Sequence, residues 1–308
     1  MLCRTALRCL LDLQRKRQCV RIFCKLPIDF VTTHTYGVDG GFLDENGKQD
    51  VKLSASPDAI VGDVRRVHAQ IQASPFPDLP LYLTEWSSSY TPRDYVHDSY
   101  INASYILTKL KQVKGLVQGM SYWTYTDLFE EPGPPPTPFH GGFGLMNREG
   151  IRKPAWFAYK YLNALKGREI PLADAHALAA VDGKRLAALV WDWQQPVQAV
   201  SNTSFNTEQA PATDSAPLRM RVTHVPAGTY QLQVRKTGYR RNDPLSLYID
   251  MGMPKELAPR QLTPLQQATR DVPQQDRRVR LGADGLVEIS LPMRSNDVVL
   301  LTLEPTAR

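Results

Sequence analysis

The chain has 308 residues, 42% of them hydrophobic and 22% charged, enough to bury a large core in one or two domains and to exclude disorder and collagen-like repetition. Its formal charge of +6 is local, because residues 1–25 hold seven Lys or Arg against one Asp while residues 26–308 carry 30 basic and 30 acidic side chains. A phosphate-binding surface needs positive residues concentrated on the folded body, so no nucleic-acid partner is expected.

Residues 1–25 form an atypical basic leader that also holds all four cysteines, Cys3, Cys9, Cys19 and Cys24. No zinc spacing is present, and the body has no thiols for disulfide stapling. Arg4 and Arg8 interrupt the apolar stretch that a secretory signal needs, and no uninterrupted apolar run is long enough to span a bilayer. The expectation is a soluble protein without a membrane partner, its compartment left open between cytoplasm and periplasm or exterior.

From Ile28 the pattern becomes regular. "IDFVTTHTY" (28–36) reads as a buried strand, followed by a Gly- and Asp-rich loop through Asp50. Ser56 and Pro57 cap a helix carrying Ile60, Val64, Val67 and Ile71 at helical spacing. "LPLYLTEW" (79–86) is a second strand, and Thr91, Pro92 and Asp94 open a helix with Val96, Tyr100, Ala103, Leu107 and Leu110 on its buried stripe. "VQGMSYWTYTDLF" (117–129) is a third strand leading into the loop "EEPGPPPTPFHGG", after which Pro154 opens a short helix through Leu165. Three successive βα units predict a parallel sheet over residues 26–170.

Beyond a boundary near residues 168–180 the period changes. Segments 186–193, 218–225, 230–239, 245–251, 286–291 and 297–304 read as short strands, and a β-sandwich over 171–308 is the simplest way to bury them. "YRRND" (239–243) reads as a solvated charged turn there.

Glu85 is the leading candidate for chemistry. It stands at the carboxyl end of an apolar strand, where parallel α/β architectures present catalytic groups, and an unpaired glutamate is poor core filling. His34 and Tyr36 end the first strand and Trp123 the third, with Asp127, Glu130 and Glu131 just beyond. Parallel neighbours would gather these groups on one rim, where aromatic faces suit the apolar faces of a sugar and carboxylates and imidazole suit its hydroxyls. His140, in "PFHGGFG", lies in a tight turn after a stiff proline-rich loop and is a further substrate-binding candidate, whereas His68, His97, His176 and His224 read as structural. No metal-ligand spacing and no nucleotide-binding glycine motif is present, so no cofactor is expected.

"DFVTTHTY", "LYLTEW" and above all "SYWTYTDLFEEPGPPPTPFHGGFGLMNREGIRKPAWFAYKYLNAL" resemble glycoside hydrolase family 39, the β-xylosidase and α-L-iduronidase family, and "YRRNDPLSLYIDMG" and "LPMRSNDVVLLTLE" resemble its carboxy-terminal region. The resemblance implies the carboxy-terminal part of a (β/α)8 TIM barrel, strands six to eight, followed by a β-sandwich, and a retaining glycosidase acting on terminal xylosyl residues of xylo-oligosaccharides. It implies Glu85 as nucleophile, His34 and Tyr36 as sugar contacts, Glu130 and Glu131 lining the glycone subsite, and Trp123 as a wall. Where the family often has Asn, this chain has Ser87. The family's acid/base stands in an Asn-Glu pair at the end of strand four, and this chain has no Asn-Glu dipeptide in a strand-end context. The expectation is therefore an amino-terminally truncated or split relative, impaired alone, partnered by a complementing half or by another copy of itself. The alternative is a sugar-binding or structural remnant without chemistry.

Overall fold

The computed structural model describes residues 28–44, 46–128, 133–208 and 212–306. Its first part runs β1 (Val31–Tyr36), a hairpin of β2 (Val38–Leu43) and β3 (Gln49–Leu53), α1 (Val61–Gln72), β4 (Leu81–Ser87), a 3-10 turn (Tyr95–His97), α2 (Ile101–Gln112), β5 (Gly119–Tyr122) and α3 (Pro154–Leu162). Strands β1, β4 and β5 form one parallel three-stranded sheet with β4 in the centre. The three βα units expected from the pattern are present.

Details of this half differ from the sequence expectation: α1 begins at Val61 with Ile60, not Ser56 and Pro57, at its N-cap, and β5 covers only Gly119–Tyr122 of the predicted strand 117–129. The 37–50 segment is not a plain loop, because residues 38–53 fold into the β2–β3 hairpin. Its turn is organised by the Asp44 carboxylate, which accepts from the backbone N–H groups of Asn46 and Lys48 at 2.9 and 2.7 Å, and Lys52 lies over the Phe42 ring. The second predicted helix is broken into the 3-10 turn and α2, and Asp94 caps only the former, accepting from Val96 N at 3.0 Å.

The second part contains β6 (Arg168–Ile170), β7 (Ala177–Asp182), β8 (Arg185–Trp191), α4 (Asn202–Thr207), β9 (Asp214–Val222), β10 (Gly228–Thr237), α5 (Pro244–Asp250), α6 (Pro259–Ala268), β11 (Gln275–Leu281), β12 (Val287–Arg294) and β13 (Val298–Pro305). An antiparallel six-stranded sheet, ordered β11-β10-β13-β8-β7-β6, faces a two-stranded β12-β9 ribbon. Leu232, Val234, Leu301 and Leu303 of the large sheet pack with Ile289, Leu291 and Met220 of the ribbon. The opposite face of the same sheet contributes Ala187, Leu189, Trp191, Val298 and Leu300 to a core shared with Ala103 and Leu107 of α2 and Phe157 and Tyr161 of α3. One sheet thus supports the sandwich and the helical layer at once.

Segment 245–251, predicted as a strand, is helix α5. Asp243 accepts from Ser246 N at 3.4 Å as N-cap, Pro244 occupies the first turn, and Leu245 and Tyr248, three residues apart, are buried. Helix α6 and strand β11 fall in the 252–285 gap where no element was expected. β11, "QDRRVRL", is a charged edge strand, and charge is how sheet edges are protected. Asn242 and Asp243 of the "charged turn" are buried rather than solvated. Among the described residues no helix is long and apolar enough to cross a membrane.

Candidate active site

The rim of the parallel sheet is set by register. Val31 to Thr33 pair with Leu81 to Leu83, and His34 then pairs with Glu85, so β4 carries one residue more than its neighbour at this point. The same irregularity separates Leu83–Met120 from Trp86–Tyr122 on the other side of β4. A bulge reverses the facing of the residues after it. Before it, Leu81 and Leu83 are buried against the helices while Tyr82 and Thr84 lie on the open face; after it, Trp86 is fully buried. Thr35, the partner of Trp86, is turned the same way and donates to Asp63 of α1 at 2.7 Å. Glu85 is thereby left on the open face beside His34.

The contact is direct. His34 Nδ1 lies 3.7 Å from Glu85 Oε2, and His34 Nε2 lies 3.1 Å from Thr84 Oγ1. The Glu85 side chain is 22% exposed and that of His34 52%, so the carboxylate is sheltered yet reachable. Tyr36, two residues beyond His34 on the same face, meets Tyr90 edge-on at 6.0 Å. Trp123 follows β5 directly, donates its backbone N–H to Trp86 O at 2.9 Å, and is joined to Thr124 by a cis peptide bond. Four of the expected residues thus stand at the carboxyl ends of adjacent parallel strands.

His140 is placed differently. It is 8% exposed, with Nδ1 3.2 Å from the carbonyl oxygen of Thr137, and burial lowers its pKa. Glu130 and Glu131 lie outside the described residues. Ser87 is fully buried and donates to Ser89 O at 2.6 Å, which starts the loop after β4.

Among the segments that follow β4 and β5 stands a buried charged group of which the sequence named only Asp127, expected there as an accessible rim residue. Lys153 Nζ pairs with Asp98 Oδ1 at 2.6 Å and Asp127 Oδ2 at 2.7 Å and donates to Gly142 O at 2.9 Å; the three side chains are wholly buried. The remaining carboxylate oxygens accept from Gly141 N and Gly144 N, each at 2.7 Å. Burial, with the Asp98 charge adding to it, pushes Asp127 up to about 6 against the pull of Lys153. Burial also works against the Lys153 ammonium, but the two carboxylates outweigh it and raise its pKa. The turn they hold admits only glycine at three points: Gly141 has φ +76, and a Cβ on it would stand 2.4 Å from the Asp94 carbonyl carbon, while one on Gly142 would stand 2.5 Å from Asp127 Oδ1 and one on Gly144 2.3 Å from the Thr126 carbonyl carbon. His97, fully buried, spans from Gly141 O (2.8 Å) to Ser89 O (3.1 Å). Asp98, Asp127 and Lys153 are too far apart in sequence for any motif to join them. Only the repeated glycines of "FHGGFG" hinted at a crowded backbone.

Among the described residues no group of three or more His, Cys, Asp or Glu is placed to hold a metal ion. A half-sheltered carboxylate at the end of a central parallel strand, with imidazole, phenol and indole along the same rim, fits the glycosidase class of βα protein. The comparisons with known proteins agree: the sequence profile of glycosyl hydrolases family 39 matches residues 10–287, and the chain belongs to that family. It is 86% identical to a crystal structure of the GH39 enzyme from Xanthomonas axonopodis pv. citri, with a TM-score of 0.92 over 94% of this chain and 57% of that one. A monomeric β-xylosidase from Caulobacter crescentus CB15 is 60% identical, with a TM-score of 0.91 over 94% of this chain and 59% of that one. A β-xylosidase from Geobacillus stearothermophilus is 30% identical over 297 residues, 92% of this chain and 53% of that protein. The chain therefore spans somewhat more than half the length of these relatives. Its parallel and antiparallel sheets are consistent with a partial (β/α)8 barrel joined to a β-sandwich, as in those structures.

Proposed function

We propose that this chain carries the nucleophile half of a retaining β-xylosidase, with β1, β4 and β5 standing as strands six, seven and eight of the barrel and Glu85 as nucleophile. The observation that carries the reading is the bulge in β4, which turns Glu85 onto the open face beside His34 while sending Trp86 into the core. In the first step a lone pair of the Glu85 carboxylate forms a bond to the anomeric carbon as the bond to the leaving oxygen breaks, and that oxygen takes a proton from a general acid. In the second step water attacks the same carbon, Glu85 departs as carboxylate, and the proton from water passes to the conjugate base of that acid. The acid/base is assigned to no residue of this chain. His34, Tyr36, Glu130 and Glu131 hold sugar hydroxyls, Trp123 supplies an apolar wall, and His140 belongs to the turn behind it. Xylo-oligosaccharide is the proposed substrate.

β1 and β5 are both edges of the parallel sheet among the described residues, which supports a complementing polypeptide as partner. A second reading is sugar binding without chemistry.

p-Nitrophenyl xyloside separates the two, because nitrophenolate departs with little help from an acid. Slow release by the chain, abolished in Glu85→Gln, is the expected result; release that persists in Glu85→Gln removes Glu85 from the role, and no release with intact xylose binding favours the second reading.

A further inference from the structure

The Lys153 cluster has a role that an ordinary buried ion pair lacks. Each of its three charged groups comes from a different segment: Asp98 from the stretch after the 3-10 turn, Asp127 from the loop after β5, and Lys153 from the N-cap of α3. The ammonium has three protons and three acceptors, and both carboxylates use their second oxygen on backbone N–H groups. Gly141, Gly142 and Gly144 are thus gripped in one short turn. From this turn two further links run to the rim. Thr124 N donates to Phe143 O at 3.0 Å, fixing the residue bonded to Trp123. Gly141 O meets His97 Nδ1, and His97 Nε2 meets Ser89 O in the loop that continues from Glu85. The ion cluster therefore fastens the loops after β4 and β5 to a common turn.

We propose that Lys153, clamped by Asp98 and Asp127, is a positioning residue that sets the gap between Glu85 and Trp123 in which the sugar ring is seated. The proposal rests on Glu85 being the nucleophile. A reacting pair tolerates little displacement, since an error of about 1 Å costs on the order of 100-fold in rate. Neutral, same-sized substitutions test it. An asparagine has one acceptor oxygen where the aspartate has two, so Asp127→Asn leaves either Lys153 or Gly144 N–H without its partner, and Asp98→Asn does the same to Lys153 or Gly141 N–H. Lys153→Met, which leaves two adjacent buried carboxylates uncompensated, is the harsher variant and is not needed for the decision.

The chain and both asparagine variants are incubated with an activated dinitrophenyl fluoro-xyloside, whose leaving group needs no acid, at a temperature where circular dichroism shows each folded. Inactivation rate and inhibition constant are measured separately, and the labelled residue is located by mass spectrometry. The expected result is label on Glu85 in the parent, with a maximal inactivation rate roughly 10- to 100-fold lower in both variants. A core fastening without a positioning role would move the melting midpoint and leave that rate alone, so parental rates in folded variants overturn the proposal. Loss of fold in both variants also overturns it, by reducing the cluster to a fastening. Label elsewhere, or none, in the parent instead defeats the Glu85 assignment on which the proposal stands.

Discussion

Strands β4 and β13 are both interior to their sheets and are built to opposite rules. In β13 every residue from Val298 to Leu303 is buried, the side chains alternately entering the sandwich core and the helical core. In β4 burial alternates, with Leu81 and Leu83 against the helices and Tyr82 and Thr84 outward, until the bulge brings Glu85 out and Trp86 in. A strand covered on both faces has no room for a carboxylate, and its sequence is a nearly continuous apolar run. A strand covered on one face can present polar groups along the other, and a single inserted residue decides which. The proposed nucleophile stands on the strand that, among the described residues, is covered on one face.

The largest expected effect tests that contrast in the core. Leu301→Ala, in the doubly covered strand, should cost about 2–5 kcal/mol of unfolding free energy, whereas Tyr82→Ala on the open face of β4 should cost less than about 1 kcal/mol. Urea denaturation of the two variants measures both, and equal losses would break the comparison. The next effect is electrostatic and lies among the segments that follow β4 and β5. Because burial holds the Asp127 carboxyl up at about 6 in the folded chain against the ordinary 3.8, the folded state takes up a proton first as pH falls. That contribution, on the order of 2–3 kcal/mol, is present in full below about pH 4 and is lost as pH rises through about 6. Comparing denaturation midpoints of the parent and Asp127→Asn between those limits isolates it: the parent should gain stability relative to the variant as the solution is acidified, and parallel curves would contradict the assignment.

The seam between the two regions comes next. Trp191 of β8 donates its indole N–H to Thr108 Oγ1 of α2 at 2.9 Å in a buried setting. Thr108→Val keeps the shape and strands the donor, so a loss of about 1–2 kcal/mol is expected by the same measurement. The smallest effect is at the surface, where Arg240 and Asp250 form an exposed pair. Arg240→Ala should move the unfolding free energy by no more than about 0.5 kcal/mol.

Much of the first half could be read from sequence, because its parallel strands and amphipathic helices repeat a simple apolar rhythm. Reading failed where a local signal was outweighed by position. "LSLYIDM" looks like a strand until Asp243 and Pro244 are taken as a helix start, and "QDRRVRL" looks like a loop because an edge strand displays its charges. The rim candidates His34, Tyr36, Glu85 and Trp123 were legible as strand-end residues. Lys153, Asp98 and His97 were not, since each appears ordinary among its sequence neighbours.

The sequence by itself determined the βα rhythm, the apolar strands and the chemical character of the rim, because those depend on residue type and short-range period. Tertiary structure alone decided that Glu85 faces outward and that a lysine 68 positions away is buried between two aspartates. The physical reason is that a bulge is defined only by the registers of neighbouring strands, and a buried charge is tolerated only where partners from distant segments converge on it.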